Sequence, residues 1–182
     1  MSTVVNKTTF KVIKSVHTPG TEYENGDWLI NPEIPSIYDE DGNFIEYQPK
    51  RYWKIEDEQI LMKNAQEIIE ADDQYLSEQK EYKKQCFKEN LGDALRSKYS
   101  DDEKLSLLLI LQLAVATGNT DRVNYVSQLA AWIDQGQDLL YAAQDNADLA
   151  TSVEELDAMQ LNLDAWLEAD PQVVIRTAKG IL

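Results

Sequence analysis

Cysteine and histidine each occur once in these 182 residues, and the two absences narrow the chemistry at once. With Cys86 alone there is no disulfide within the chain, and its setting between Gln85 and Phe87 in a helical pattern suits a partly buried, inert thiol. A zinc cluster needs several Cys and His ligands, which are missing. The single histidine, His17, sits in a His-Thr-Pro-Gly turn with no nucleophile beside it, so a Ser-His-Asp or Cys-His arrangement is not expected. Cations are also scarce: 17 Lys and Arg face 33 Asp and Glu, a formal charge of -16. That field repels phosphate backbones and anionic lipid, so neither nucleic acid nor a membrane is an expected partner. The seven glycines are scattered singly, which leaves no loop to cradle a phosphate. Residues 1–11 contain no apolar core of a secretory signal. The longest apolar run, 105–116, is interrupted by Ser106 and Gln112 and falls short of the ~20 residues of a membrane span. It reads as a buried helix.

What the chain does have is a change of character near residue 63. Before it, turn residues separate short apolar runs. Residues 8–16 alternate, with Phe10, Val12 and Val16 on one side, and suit a first strand. Residues 22–30, broken by Asn25-Gly26, are a second strand or a hairpin. Pro32 and Pro35 exclude a central strand or a helix there. Apolar flanks around Asp41-Gly42 predict a hairpin over 37–45. A further hairpin is predicted with 52–55 paired to 59–62 around Glu56-Asp57-Glu58. A sheet this small is marginal alone and needs helices or a partner.

After residue 63 the composition turns to Glu, Gln, Lys, Ala and Leu. Asn64 is a candidate N-cap for a long helix over 65–98. Its stripe of Ile68, Ile69, Asp72, Tyr75, Leu76, Gln79, Tyr82 and Cys86 is polar in the middle, so the helix is expected to bury weakly against its own chain, with a break or kink at Gly92. Ile68, Tyr75 and Tyr82 are its candidate contacts with other copies. Ser100-Asp101-Asp102-Glu103 is a capping box for the apolar helix. Gly118-Asn119 ends that helix, and Thr120 or Asp121 opens another, weakened in its middle by Gly136. Overlapping capping boxes at Thr151/Glu154 and Ser152/Glu155 predict a helix over 153–169, and Asp170-Pro171 stops it or starts a last one over 172–179. The fold class is therefore α+β: a small antiparallel β module (1–63), a long connecting helix (64–99) and a helical bundle (100–182).

No catalytic constellation emerges. Asp39-Glu40-Asp41-Gly42 has part of a calcium-loop spacing, but Glu46 comes too early for the ligand pattern, and a hairpin turn accounts for it better. Glu67, Glu70, Asp72 and Asp73 cluster on the helix without the Glu-x-x-His half of a di-iron site. Paired carboxylates of a glycan hydrolase are a remote reading in so acidic a chain. The chain is therefore not expected to be an enzyme, and no cofactor or metal is expected. The aromatic residues say more. Trp132 and Trp166 suit core packing of the bundle. The β module carries Tyr23, Trp28, Tyr38, Tyr47, Tyr52 and Trp53, more aromatic surface than so small a core can hide. These six are the candidate interface residues.

The segment Pro49-x-x-Tyr52-Trp53-Lys54-Ile55, followed by Gln59-Ile60-Leu61-Met62 and a Glu/Ala/Lys-rich helix, resembles modules in tail-fibre and other structural proteins of tailed bacteriophages. Trp132 within a helix, Val153-Glu154-Glu155-Leu156 opening the next, and Asp170-Pro171 before Val173 are similar to helical ends of phage and prophage proteins. The resemblance implies a strand-pair-and-helix module with no catalytic residues. It implies a virion location after synthesis in the host cytoplasm and other virion proteins as partners; a homo-oligomer is expected as well, since a polar-striped helix as long as 65–98 is more stable with neighbours. The chain is short for a fibre, with no collagen-like Gly-x-y segment, which favours an adaptor or other tail-associated part. The alternatives are a tail-fibre assembly factor absent from the mature particle, and an acidic anti-defence protein that mimics nucleic acid.

Overall fold

The computed structural model describes residues 2–16, 19–99 and 101–171. The expectations placed on His17, on the Ser100 cap and on a helix over 172–179 lie outside them. Among the described residues seven strands precede five α-helices: β1 (Ser2–Asn6), β2 (Val12–Val16), β3 (Trp28–Ile30), β4 (Ser36–Tyr38), β5 (Phe44–Tyr47), β6 (Trp53–Glu56) and β7 (Gln59–Met62), then α1 (Ala65–Lys98), α2 (Asp101–Ala116), α3 (Thr120–Leu149), α4 (Val153–Ala158) and α5 (Asp164–Glu168). The class is α+β, as the sequence indicates. The chain forms two compact units, 1–75 and 76–182, whose boundary falls inside α1.

In the first unit the strands form three small antiparallel sheets instead of one: β2-β1-β3, β4-β5 and β6-β7. The central β1 was not anticipated, because Val4 and Val5 are adjacent and give no alternation. Both are fully buried, since both faces of β1 are covered. The turn into β2 is held by the Asn6 carboxamide oxygen, which accepts from the Thr8 and Thr9 amides and the Thr9 hydroxyl at 2.9–3.1 Å. Both hairpins read from the sequence are present. In β4-β5, Asp39 accepts from the Asn43 amide (2.7 Å) and side chain (3.0 Å), and Gly42 takes φ +80°. In β6-β7 a two-residue turn places Asp57 and Glu58 at φ 48° and 60°, left-handed at both positions. That is the backbone that matches strand twist. The core under these sheets is Val5, Leu29, Trp53 and Ile60, with Phe10, Val12, Ile34, Tyr47 and Ile55 packed around it.

In the second unit α1, α3, α4 and α5 share a core that includes Phe87, Leu91, Tyr99, Leu129, Trp132, Leu140, Leu156, Leu163 and Trp166. The C-terminal half of α1 is thus an ordinary core helix, contrary to the expectation of weak burial. The inward stripe passes through Leu76, Phe87 and Leu91 while Tyr82 and Ile69 face outward. Gly92 interrupts nothing: α1 runs unbroken from Ala65 to Lys98. Gly136 has a positive role. A Cβ there would lie 2.5 Å from the Trp166 ring, so only glycine admits that ring against α3. The two indoles of Trp132 and Trp166 stack at 4.2 Å with planes 6° apart, and each Nε1–H donates to the other residue's carbonyl at 2.7 Å. The expected helix over 153–169 is instead two short ones. Met159, Leu161 and Leu163 recur at every second residue, and the extended link between α4 and α5 lets all three reach the core.

Candidate functional site: exposed apolar surfaces

The Pro49-x-x-Tyr52-Trp53-Lys54-Ile55 segment is an internal clamp. Pro49 opens a 3-10 turn, with the Tyr52 amide donating to its carbonyl at 2.9 Å. Arg51 Nε donates to Asp72 Oδ1 at 2.7 Å, and the Tyr52 hydroxyl lies 2.8 and 2.9 Å from the same carboxylate. The Arg51 guanidinium also lies over the rings of Tyr52 (4.6 Å) and Tyr75 (4.7 Å). Lys54 reaches Glu67 and Glu56 at 3.1–3.2 Å. Trp53, 2 % exposed, fills the core. The segment therefore joins the last hairpin to the first turns of α1. The electrostatics agree: the hydrogen bond from Arg51, then that from Tyr52, hold the Asp72 carboxyl below the usual carboxylate range.

This placement corrects the interface reading at Trp53. Trp53 is interior, because the small sheets curl over it instead of presenting it. Tyr52 is half-buried, its hydroxyl engaged by Asp72 and Arg51. Tyr23 and Trp28 are half-buried and pack edge-to-face at 5.1 Å. Tyr47 is half-buried between Trp53 (6.3 Å) and Phe44 (5.1 Å), with Lys14 Nζ over its ring at 4.5 Å. Tyr38 is open to solvent and meets Phe44 at 6.3 Å. Of the helix candidates, Ile68 and Tyr75 are half-buried within the first unit, and Tyr82 is exposed.

The surfaces that are exposed and apolar lie mostly elsewhere. In the first unit Ile30, Tyr38, Phe44, Ile45, Leu61 and Met62 are all exposed, and all but Ile45 line two clefts that flank the strip from Pro32 to Tyr38. In the second unit the exposed side is α2. Leu109 (58 %), Leu113 (55 %) and Val115 (65 %) face solvent with Ile110 beside them, and Ala114 is its one buried side chain among those described. Over 109–116 the reading as a buried helix is thus overturned. From 105 to 116 the sequence is apolar nearly all round, and among the described residues α3 is the one element on which α2 packs extensively, so only one side is covered. Phe44, Ile45 and the α2 side chains were missed. Their signal is a strand or helix with apolar residues on both faces and neighbours for only one.

Among the described residues no group of three or more His, Cys, Asp or Glu is placed to hold a metal ion. No helix there is long and apolar enough to cross a membrane. No family model, no curated protein and no solved structure matches the chain.

Proposed function

We propose that this chain is a non-enzymatic assembly protein, a tail-associated structural component of a tailed-phage virion that self-associates and binds other virion proteins. The observation that carries the reading is the bare side of α2. Leu109, Ile110, Leu113 and Val115 expose more apolar surface than a helix of a lone molecule retains, and from 105 to 116 the sequence holds no charged residue. Two copies carrying -16 each repel one another, so contact between them needs a stretch of this neutral kind. The clamp of Arg51, Tyr52 and Asp72 supports the same reading, because it uses the phage-like motif to brace a hairpin on a helix and leaves it no chemistry to perform.

The test has two arms. Sedimentation of the full chain should show an oligomer, and Leu109→Glu with Leu113→Glu should return it to one copy without loss of helix content. A monomer at all concentrations sinks the self-association. A mass-spectrometric inventory of purified particles should then find the chain at stoichiometric copy number. Its absence from particles, with the oligomer intact, favours the assembly-factor alternative.

A further inference from the structure

The geometry points to the cleft between the Pro32–Pro35 strip and β7 as the seat of an extended partner peptide that alternates apolar side chains with lysine or arginine. The inference rests on the assembly role proposed above, whose partner it describes chemically.

The cleft has a volume of about 670 Å³, within the range of specific ligand pockets. Its walls are two stretches of chain, residues 30–36 with Tyr38 and residues 58–62. A wall of seven residues spans at most about 25 Å, the reach of roughly seven residues of extended peptide. Long walls of this kind fit a strand-like guest better than a compact metabolite. One wall is β7, whose outer edge carries no further strand among the described residues. Apolar side chains of both walls stay open to solvent: Ile30 on one, Leu61 and Met62 on the other. Ile34 and the buried Ile60 continue the apolar lining.

Charge selects the guest. The lining holds two carboxylates, Glu33 and Glu58, and no Lys, Arg or His. Glu58 is 81 % exposed, and among the described residues its ion-pair partner is Lys7 at 3.2 Å, which lies outside the lining. A second copy would bring its own -16 to this acidic rim, whereas a basic and apolar segment of another protein is drawn to it.

The probe is a fluorescein-labelled heptapeptide of alternating Lys and Val, with a Glu-for-Lys version as control, titrated with the full chain. The Lys peptide should bind and the Glu peptide should not. Glu33→Lys with Glu58→Lys should weaken the Lys peptide by about tenfold or more and confer binding of the Glu peptide. Asp134→Lys with Asp138→Lys, the same charge change on α3 of the second unit, should leave both within about twofold. Leu61→Asp should abolish binding while the emission of buried Trp53 reports an intact fold. Equal effects of the two charge-reversed pairs would overturn the proposal, since binding would then follow net charge alone. Self-association that survives Leu109→Glu/Leu113→Glu but is lost on Leu61→Asp would also overturn it and assign the cleft to a second copy. The α2 variant Leu109→Glu/Leu113→Glu should still bind the peptide, so failure here and failure of self-association are read separately.

Discussion

At the scale of single residues the second unit turns on Gly136. The reciprocal Trp132–Trp166 stack is possible because nothing projects from α3 beneath the Trp166 ring. Gly136→Ala gains helix propensity, worth up to about 1 kcal/mol. It also forces a ring out of a seat closed by two hydrogen bonds, and overpacking of this kind costs about 1–3 kcal/mol. The overpacking wins: urea unfolding should show a net loss, with altered near-ultraviolet tryptophan signals. Asp72 makes a different prediction in the first unit. Asp72→Asn keeps the shape but removes the charge that faces Arg51. The carboxylate is about half exposed, so solvent screening limits the loss to about 0.5–1 kcal/mol. Arg51→Lys, which cannot offer the planar fork that spans Asp72 and two rings, should cost as much in thermal denaturation.

At the scale of elements the helix starts explain both what could be read in advance and how acid acts. α1 opens on a true capping box: the Asn64 amide donates to Glu67 at 2.6 Å, and the Glu67 amide donates to Asn64 Oδ1 at 3.0 Å. α4 opens on Ser152, which accepts from the Glu155 amide, while the Glu155 carboxylate turns back to the Thr151 amide at 2.7 Å. The hydrogen bond from the Asn64 amide, then that from Lys54, lower the Glu67 pKa, and those from Thr151 lower that of Glu155. A carboxyl held lower in the folded state contributes stability above its unfolded pKa and loses it as pH falls through the folded one. Stability should therefore hold above pH 5 and fall from about pH 4 downward, near the unfolded glutamate value. Glu67→Gln and Glu155→Gln should each flatten that acid arm in denaturation followed by circular dichroism. Local signals of this sort were legible in the sequence: Asn64 as a cap, Ser152 with Glu155, Asp41-Gly42, and the hairpin before Gln59. What was not legible depends on neighbours. Val4 and Val5 form a central strand only because β2 and β3 flank it. The split of 153–169 follows from three core-facing side chains at alternate positions, whose partners lie far away in the chain. Trp53 looked like an anchor for a partner because six aromatics in a small module exceed any obvious core. Three curled sheets supply one.

At the scale of the whole molecule the proposed assembly sets two terms against each other: a charge of -16 that repels a second copy, and the exposed apolar side of α2 that would attract one. The apolar term changes little with moderate sodium chloride. The repulsion is long-ranged at low ionic strength, where the screening length is about 30 Å at 0.01 M salt, and shrinks to about 8 Å at 0.15 M. Self-association through α2 must then strengthen as salt rises. An assembly driven by ion pairs between copies weakens under the same change. Sedimentation equilibrium from 0.01 to 0.3 M sodium chloride discriminates the two. The dissociation constant should fall by about tenfold or more, because each 1.4 kcal/mol of relieved repulsion is a factor of ten. Lowering the pH towards 5 should act in the same direction by reducing net charge, before the capping carboxylates begin to protonate. Leu113→Glu, which sets a charge in the middle of the neutral stretch, should erase the association at every salt concentration. Weaker association at high salt in the unsubstituted chain would mean that α2 is covered by something other than a second copy.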